Sequence, residues 1–273
     1  MRSNLVQRLL AALVAVPLLL ALLYLGPPWG WAAFLAAATT VGALELFGMT
    51  HPGDRPSQLV GLALTLGVFG VVWTWGTDAR ALLVLLLILP LAGMLLTLAR
   101  LGDMQTAALR VAAATFGPLY LGGGMAALAM LRREGGADGP GFVVLALVLS
   151  WFSDTGAYFA GRFLGRHKLY EAVSPKKTVE GALGGLAFSV LGAVIGHFVY
   201  VRSLPLVPAL VLGVVAGALG QAGDLGESLI KRSVGAKDSG SIIPGHGGIL
   251  DRVDALLVTA TMTYVYLMFW WQG

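Results

Sequence analysis

The chain has 273 residues, of which 57% are hydrophobic and 12% are charged, and its formal net charge is +4. An ordinary soluble domain carries about a quarter charged residues. This composition therefore excludes a soluble globular enzyme, a disordered chain and a nucleic-acid-binding module. It favours a protein that crosses a membrane several times, and the 38 glycines agree, because glycine is more frequent in membrane helices than in soluble ones.

The hydrophobic runs predict an all-α, polytopic membrane protein. A helix needs about 20 apolar residues to cross the bilayer, and about nine such stretches are separated by turn-forming clusters. The predicted spans are 9–25, 30–50, 59–75, 81–99, 111–131, 142–164, 179–201, 205–227 and 251–272. The first resembles a secretory signal, but the Gly-Pro-Pro that follows it is a poor cleavage site, so we expect an uncleaved helix.

The basic residues predict the orientation of these helices. Fourteen of the 18 Lys and Arg residues fall on the N-terminal side of the predicted spans, and four fall on the other side. Basic loops favour the cytoplasm, so we expect a cytoplasmic N-terminus and a C-terminus on the opposite side. We divide the chain into an N-terminal region of five spans, 1–140, and a C-terminal catalytic region of four spans, 141–273, with cytoplasmic loops at 165–178 and 231–250.

Glu45 and Asp154 are acidic residues inside predicted spans, where a carboxylate is costly and suggests function. Glu45 lies near the cytoplasmic end of its span, where it could reach the interface or pair with a basic residue, so we favour a structural role. Asp154 lies in the middle of its span and shares a helix face with Tyr158. Asp154 could be a buried carboxylate that pairs with Lys or Arg in a purely structural role. We favour a functional role, in which it faces a cavity that holds a substrate.

The two cytoplasmic loops carry groups suited to phosphates. In the first loop, Ser174 is predicted to cap the following helix, and Arg166, Lys168, Lys176 and Lys177 offer positive charge to phosphates. Alternatively, the positive charge of this loop could only set the membrane topology and contact anionic lipids. The second loop contains Lys237-Asp238 and the glycine-rich run Pro244 to Gly248, which includes His246; glycines let peptide groups approach an anion closely.

Carboxylates flank the second loop on both sides. Asp224, Glu227, Ser228 and Lys231 share one face if the preceding helix continues. An oxygen-rich face of this kind suits Mg²⁺, which binds through one or two carboxylates and substrate phosphates; the alternative is a solvated helix end with a Glu227–Lys231 ion pair. Asp251 and Asp254 begin the last helix, where acidic residues can interact favourably with the positive end of the helix dipole. That effect does not require two acids at a membrane boundary opposite Asp224, so we favour a second metal-binding pair.

The stretch from Ser228 to Asp254, SLIKRSVGAKDSGSIIPGHGGILDRVD, resembles the phosphatidate cytidylyltransferase (CDP-diglyceride synthase) family. The blocks DTGAYFAGRFLG and SPKKTVEG are similar to the same family, so the resemblance covers roughly 150–255. Arg166 stands where lysine is expected, and Val179 where an aromatic residue is frequent. The first five spans match only in general character.

The resemblance implies an integral membrane enzyme that converts CTP and phosphatidate to CDP-diacylglycerol and pyrophosphate. It implies Mg²⁺ with a second cation such as K⁺, a homodimer, contact with membrane lipid and no nucleic-acid partner. The expected location is the bacterial cytoplasmic (inner) membrane, with the active site facing the cytoplasm.

We assign the site residues as follows. The catalytic residues are Asp224, Asp251, Lys237 and His246. The metal ligands are Asp224, Ser228, Asp251 and Asp254. The groups that hold substrate phosphates are Lys176, Lys177, Lys231, Arg232, Lys237, Arg252, Gly247 and Gly248. The supporting residues are Asp154, Glu227 and Asp238.

Four other functions compete with this one. A CDP-alcohol phosphotransferase would need a D-G-x-x-A-R block with downstream spaced aspartates, and the chain contains no such block. A CTP-using polyisoprenol kinase needs similar carboxylates and basic residues, and only its product distinguishes it. A transporter or channel could use Asp154, Glu45 and His197 as an ion path, but the polar residues crowd into one half and one side of the chain. A purely structural membrane protein leaves the acidic and glycine-rich segments unexplained.

Overall fold

The described part of every predicted span is helical, and the fifth span consists of two shorter helices joined by a π-helical turn. The computed structural model describes residues 2–240 and 247–271, with the side chains of 13, 15–240 and 247–271. The helices are α1 (Arg2–Leu25), α2 (Pro28–Thr50), α3 (Arg55–Trp75), α4 (Ala79–Ala99), α5 (Ala107–Gly117), α6 (Gly124–Glu134), α7 (Gly139–Leu164), α8 (Val179–Val199), α9 (Leu206–Ser233) and α10 (Leu250–Trp270). A π-helical turn, Pro118–Gly123, joins α5 to α6.

In the described part of the chain, eight helical stretches are long and apolar enough to cross a membrane. One of them combines α5, the π-helical turn and α6 into a single span, Met104–Glu134. The all-α, polytopic membrane architecture is therefore confirmed. The described side chains of α1 are apolar over Ala15–Leu25, and its role as a ninth crossing stays a prediction.

Contacts between loops define two ends of the helical bundle. At one end, which we call the site end, the carboxylate of Asp54 forms ion pairs with Arg100 at 2.8 Å and with Arg110 at 2.5 Å. At the opposite end, Arg132 donates a 2.7 Å hydrogen bond to the carbonyl of Leu23 near the end of α1. These ends correspond to the two predicted sides of the membrane, and which side is cytoplasmic stays a prediction.

The loop at 165–178 contains a β-hairpin that the sequence did not indicate. Strands β1 (Lys168–Tyr170) and β2 (Ser174–Thr178) pair in antiparallel fashion. The prediction that Ser174 caps α8 is wrong, because Ser174 pairs with Tyr170. Thr178 is the cap, and its hydroxyl accepts a 3.1 Å hydrogen bond from the N–H of Gly181. The hairpin therefore leads directly into α8.

Helices α7 and α8 approach each other closely through small residues. A Cβ atom on Gly156 would lie 2.5 Å from the carbonyl oxygen of Gly184, and a Cβ atom on Gly184 would lie 2.2 Å from the Cβ atom of Ala160. Small residues allow this approach in membrane helices, where packing replaces the hydrophobic effect as the driving force. The close contact fixes Asp154 on α7 beside the hairpin and the start of α8.

The turn between α2 and α3 holds a buried histidine. The Nδ1 atom of His51 lies 3.0 Å from the hydroxyl oxygen of Thr50, and its side chain is almost fully buried. Burial, reinforced by the charge of Arg110, lowers the pKa of His51 to about 4. Burial would raise the pKa of Asp54, but hydrogen bonds from Ser57 and the two arginines hold it well below its usual value.

Lowering the pH from 7.5 to 5 should destabilise the folded protein through His51. The folded state keeps this imidazole neutral, whereas the unfolded chain binds a proton below about pH 6.5. The free energy of unfolding therefore falls between about pH 6.5 and 4, with a slope of at most about 1.4 kcal/mol per pH unit. Thermal unfolding in detergent at several pH values measures this fall in stability.

The matched variant is His51→Gln, which should flatten this pH dependence whatever its effect on stability at pH 7.5. Asp54 does not interfere, because a carboxylate with a lowered pKa loses its stabilising contribution only below its unfolded value of about 3.8. An unchanged slope in His51→Gln would contradict this account.

Candidate active site

Polar side chains from neighbouring elements meet at the site end of the bundle. Asp154 lies on α7, Lys177 on β2, Asp224 on α9 and Asp254 on α10. Asp154 and Asp224 line one cavity, and a Cβ atom on Gly223, the neighbour of Asp224, would lie 3.3 Å from the carbonyl oxygen of Asp254. The packing of α7, α8, α9 and α10 against one another thus gathers residues that are up to 100 positions apart in the chain.

A cavity of about 360 Å³ lies beside this group. Its lining includes the carboxylates of Asp154 and Asp224 and the ammonium groups of Lys176 and Lys177. A volume of this size is typical of small-molecule sites. The mixture of charges suits a substrate that carries phosphates, because carboxylates can hold a metal ion while lysines contact the phosphate oxygens.

Lys177 and Asp224 form an ion pair across this cavity. The Nζ atom of Lys177 lies 2.6 Å from Oδ2 of Asp224, and each side chain is about three-quarters buried. The pair joins β2 to α9 and keeps both charges neutralised. A phosphate that takes Lys177 as a partner would leave Asp224 available to a cation.

A second, more deeply buried cation joins α9 to α10. The Nζ atom of Lys231 lies 2.5 Å from Glu227 and 2.7 Å from Asp251. The side chains are 12%, 2% and 8% exposed in that order. The Glu227–Lys231 ion pair, which the sequence offered as the alternative to a metal-binding face, is present, but it is buried and not solvated. Breaking such a buried group would leave an uncompensated charge, which is strongly destabilising.

Asp251 also organises the loop that precedes α10. Its second oxygen, Oδ2, accepts hydrogen bonds from the N–H groups of Ser239 at 2.9 Å and Gly248 at 2.8 Å. The adjacent Gly247 has a φ of +80°, a conformation that favours glycine. Asp251 therefore joins Lys231 to both described edges of the loop, so its carboxylate already has three partners.

Asp254 has different neighbours, although it begins the same helix. Its Oδ1 accepts the N–H of Ala255 at 2.7 Å, and its carbonyl oxygen accepts a 2.9 Å hydrogen bond from the hydroxyl of Tyr120. Helix α9 packs against this part of α10, because a Cβ atom on Gly223 would lie 3.3 Å from the carbonyl oxygen of Asp254. The structure thus places Asp254 with Asp224, and it places Asp251 with Lys231 and the loop.

The donor set fits a magnesium ion that is completed by substrate. Among residues 2–240 and 247–271, no three Asp, Glu or His side chains are close enough to hold one metal ion. Mg²⁺ does not need such a cage, because it is usually held by one or two carboxylates with waters and substrate phosphates. Oδ1 of Asp254 contacts one N–H group, and Oε1 of the buried Glu227 has no hydrogen-bond partner in the described part of the chain. This excess of carboxylate oxygen is favourable for a cation.

The other assigned residues surround this centre. Ser228 is half-buried on α9, one turn beyond Asp224, and Lys176 is exposed at the cavity. Arg232 is exposed and donates a 3.0 Å hydrogen bond to the carbonyl of Ala236. The charge of the exposed Arg252 acts on Asp154. Lys237 and Asp238 are exposed on the loop, and His246 lies outside the described residues.

Two residues of the N-terminal region reach this site, and the sequence did not indicate their contacts. Tyr120 lies in the π-helical turn, a type of distortion that is frequent at functional sites, and no motif marked it. Glu45 was noticed as a carboxylate inside a span, but its partners are peptide N–H groups at the start of α10. The site therefore draws on both halves of the chain.

Comparisons with known proteins give a consistent result. The sequence profile described as "Cytidylyltransferase family" matches residues 6–270. A phosphatidate cytidylyltransferase of Synechocystis is 32% identical, over 96% of this chain and 96% of its own length. Enzymes of the same name from Staphylococcus haemolyticus and Bacillus subtilis are 41% and 43% identical, but these matches span about half of each chain.

The buried cation yields a test of the site's architecture. Lys231→Met should lower the free energy of unfolding by about 3 kcal/mol or more, because it leaves Glu227 and Asp251 as buried anions without their partner. Unfolding in mixed detergent micelles measures the change. The matched control is Lys176→Met, which removes an exposed ammonium group and should cost less than about 0.5 kcal/mol. Equal losses in the two variants would contradict the buried, shared ion pair.

Proposed function

The chain belongs to the cytidylyltransferase family, and we propose that it transfers the cytidylyl group of CTP to phosphatidate, forming CDP-diacylglycerol and pyrophosphate. The observation that carries this proposal is the meeting of carboxylates and lysines around one cavity at the end of a membrane bundle. Such a place gives a lipid phosphate access from the bilayer and a nucleotide access from water. The names of the relatives agree with this activity.

The reaction needs little proton transfer. An oxygen of the phosphatidate phosphate attacks the α-phosphorus of CTP, a new P–O bond forms, and the bond to the β-phosphate oxygen breaks as pyrophosphate leaves. Because the nucleophile is already an anion, no strong general base is required. The protein contributes chiefly by holding two phosphate groups in contact and by offsetting their mutual repulsion.

The lysines beside the cavity are suited to that task. The ammonium group of Lys177 is held by Asp224. We infer that it exchanges this carboxylate for a phosphate oxygen of CTP when the nucleotide binds. Lys176 adds positive charge at the same cavity. Arg252 is exposed near the start of α10, and Lys237 is exposed on the neighbouring loop.

Asp224 and Asp254 are the proposed ligands of Mg²⁺, with Ser228 beside them. Asp251 belongs to the same proposed set, although its carboxylate holds Lys231 and two peptide groups. When bound, Mg²⁺ supplies positive charge that stabilises the phosphate oxygens and the leaving pyrophosphate. A second cation such as K⁺ remains part of the proposal.

The proposal includes the setting of the enzyme. The long apolar helices and the bacterial relatives support an integral membrane protein. We propose the bacterial cytoplasmic membrane, nine crossings and a site end that faces the cytoplasm, because the basic residues concentrate at that end. A homodimer is proposed from the family resemblance alone.

Transport is a weaker explanation of the polar residues inside the spans. The Nδ1 atom of His197 lies 2.6 Å from the carbonyl oxygen of Leu204, in the turn between α8 and α9 at the opposite end from the site. Glu45 instead contacts the start of α10. These two residues therefore have local structural partners, and they do not continue the path that Asp154 would begin.

A labelling assay tests the reaction. The purified protein should incorporate label into phosphatidate from α-³²P-CTP but not from γ-³²P-CTP, in the presence of Mg²⁺. Asp224→Asn should lower kcat/KM by roughly 100-fold or more, because it removes a proposed ligand of the Mg²⁺ that would neutralise the transferring phosphates. The matched control, Glu171→Gln, changes an exposed acid in the hairpin turn and should leave the rate unchanged.

The alternatives give different results in the same assay. Label from γ-³²P-CTP would show a kinase. No lipid label from either nucleotide, with folded protein, would exclude phosphatidate as the acceptor.

A further inference from the structure

The carboxylate of Glu45, on α2, contacts the start of α10, although the two lie about 205 residues apart in the chain. Its Oε1 accepts the N–H of Ile249 at 3.0 Å, and its Oε2 accepts the N–H of Leu250 at 2.9 Å. The hydroxyl of Ser239 donates a third hydrogen bond, at 3.2 Å. The side chain is only 7% exposed, so these contacts are made away from water.

The charge of Glu45 is matched by peptide groups and not by a basic side chain within the described residues. The first N–H groups of a helix have no partner inside the helix, and the helix dipole makes them attractive to an anion. A carboxylate inside a membrane span is costly. Glu45 therefore fixes where α10 begins, because leaving this position would strand a buried charge.

Two glycines are shaped around this carboxylate. A Cβ atom on Gly240 would lie 2.7 Å from Oε1 of Glu45, and the next nearest atoms are also those of the Glu45 side chain. A Cβ atom on Gly248 would lie 2.4 Å from Oε2 of Glu45 and 2.2 Å from the hydroxyl oxygen of Ser239. Both described edges of the loop thus close directly onto Glu45.

The same loop edges hold Asp251. Ser239 donates its N–H to Asp251 and its hydroxyl to Glu45, and Gly248 donates its N–H to Asp251. We propose that Glu45 is a positioning residue for nucleotidyl transfer: it holds the hydroxyl of Ser239 and the N–H groups at the start of α10 so that Asp251 stays beside Lys231. This inference rests on the proposed function for its catalytic consequence.

Glu45→Gln tests the role with almost no change in size. Glutamine can accept one of the two peptide N–H groups but presents an NH₂ group to the other. We expect kcat to fall about 10- to 100-fold, the usual effect of removing a group that orients an active-site ligand, while KM for CTP changes less than about threefold. Hydrogen exchange at the amides of Ile249 and Leu250 should accelerate.

Glu134→Gln is the matched control. Glu134 is also a partly buried carboxylate on a membrane helix, but it accepts a 2.8 Å hydrogen bond from Tyr264 and pairs with Arg133 at the opposite end. This variant should leave kcat and the exchange of Ile249 and Leu250 unchanged, even if the melting temperature falls. An equal loss of kcat in both variants would show a general structural effect and overturn the proposal.

A double-variant cycle provides a second, independent measurement. Gly240→Ala should lower kcat on its own, because its methyl group collides with the Glu45 carboxylate. In the Glu45→Ala background that collision is absent, so Gly240→Ala should cause no further loss. If the fold-losses of kcat in the two single variants multiply in the double variant, the proposed coupling is overturned.

The outcomes separate this inference from the proposed reaction. If the wild-type protein makes no labelled lipid, the reaction is wrong, and hydrogen exchange in Glu45→Gln still decides whether Glu45 holds the start of α10. If the wild type is active and Glu45→Gln keeps full kcat, the positioning role is wrong, whatever the exchange rates.

Discussion

The ammonium group of Lys231, buried between Glu227 and Asp251, is the interaction on which the site end of the bundle depends. It neutralises carboxylates that the protein interior could not otherwise hold, and it joins α9 to α10. Through Asp251 it reaches the peptide groups of Ser239 and Gly248, and the hydroxyl of Ser239 in turn contacts the carboxylate of Glu45. One buried cation thus begins a chain of contacts that crosses three helices.

This arrangement explains how a membrane protein keeps so many acids in one place. Asp154, Asp224 and Asp254 lie close enough for their charges to interact, which is unfavourable without compensation. Lys177 and Arg252 offset part of this charge. A site that binds phosphates and a divalent cation has a use for the rest, because both signs of charge are needed where two anionic substrates must meet.

The sequence predicted the helices well because a membrane span can be recognised from its own run of apolar side chains, whatever its neighbours are. It failed at short elements that depend on local pairing: Ser174 resembled a helix cap, but it belongs to a strand, and Thr178 is the cap. It identified the acids and lysines of the C-terminal region through their motif. It could not find the contacts of Glu45 and Tyr120, because hydrogen bonds to backbone groups far along the chain leave no pattern in the residues themselves.

Isotope tracing tests the central claim, that a lipid phosphate held by these charges is itself the nucleophile. Phosphatidate with ¹⁸O in its phosphate group is incubated with CTP and the purified protein, and both products are examined by mass spectrometry. All of the ¹⁸O should remain in CDP-diacylglycerol, including the oxygen that bridges the two phosphorus atoms, and pyrophosphate should contain none. ¹⁸O in pyrophosphate would contradict the account, because it would mean that the lipid phosphate had been attacked.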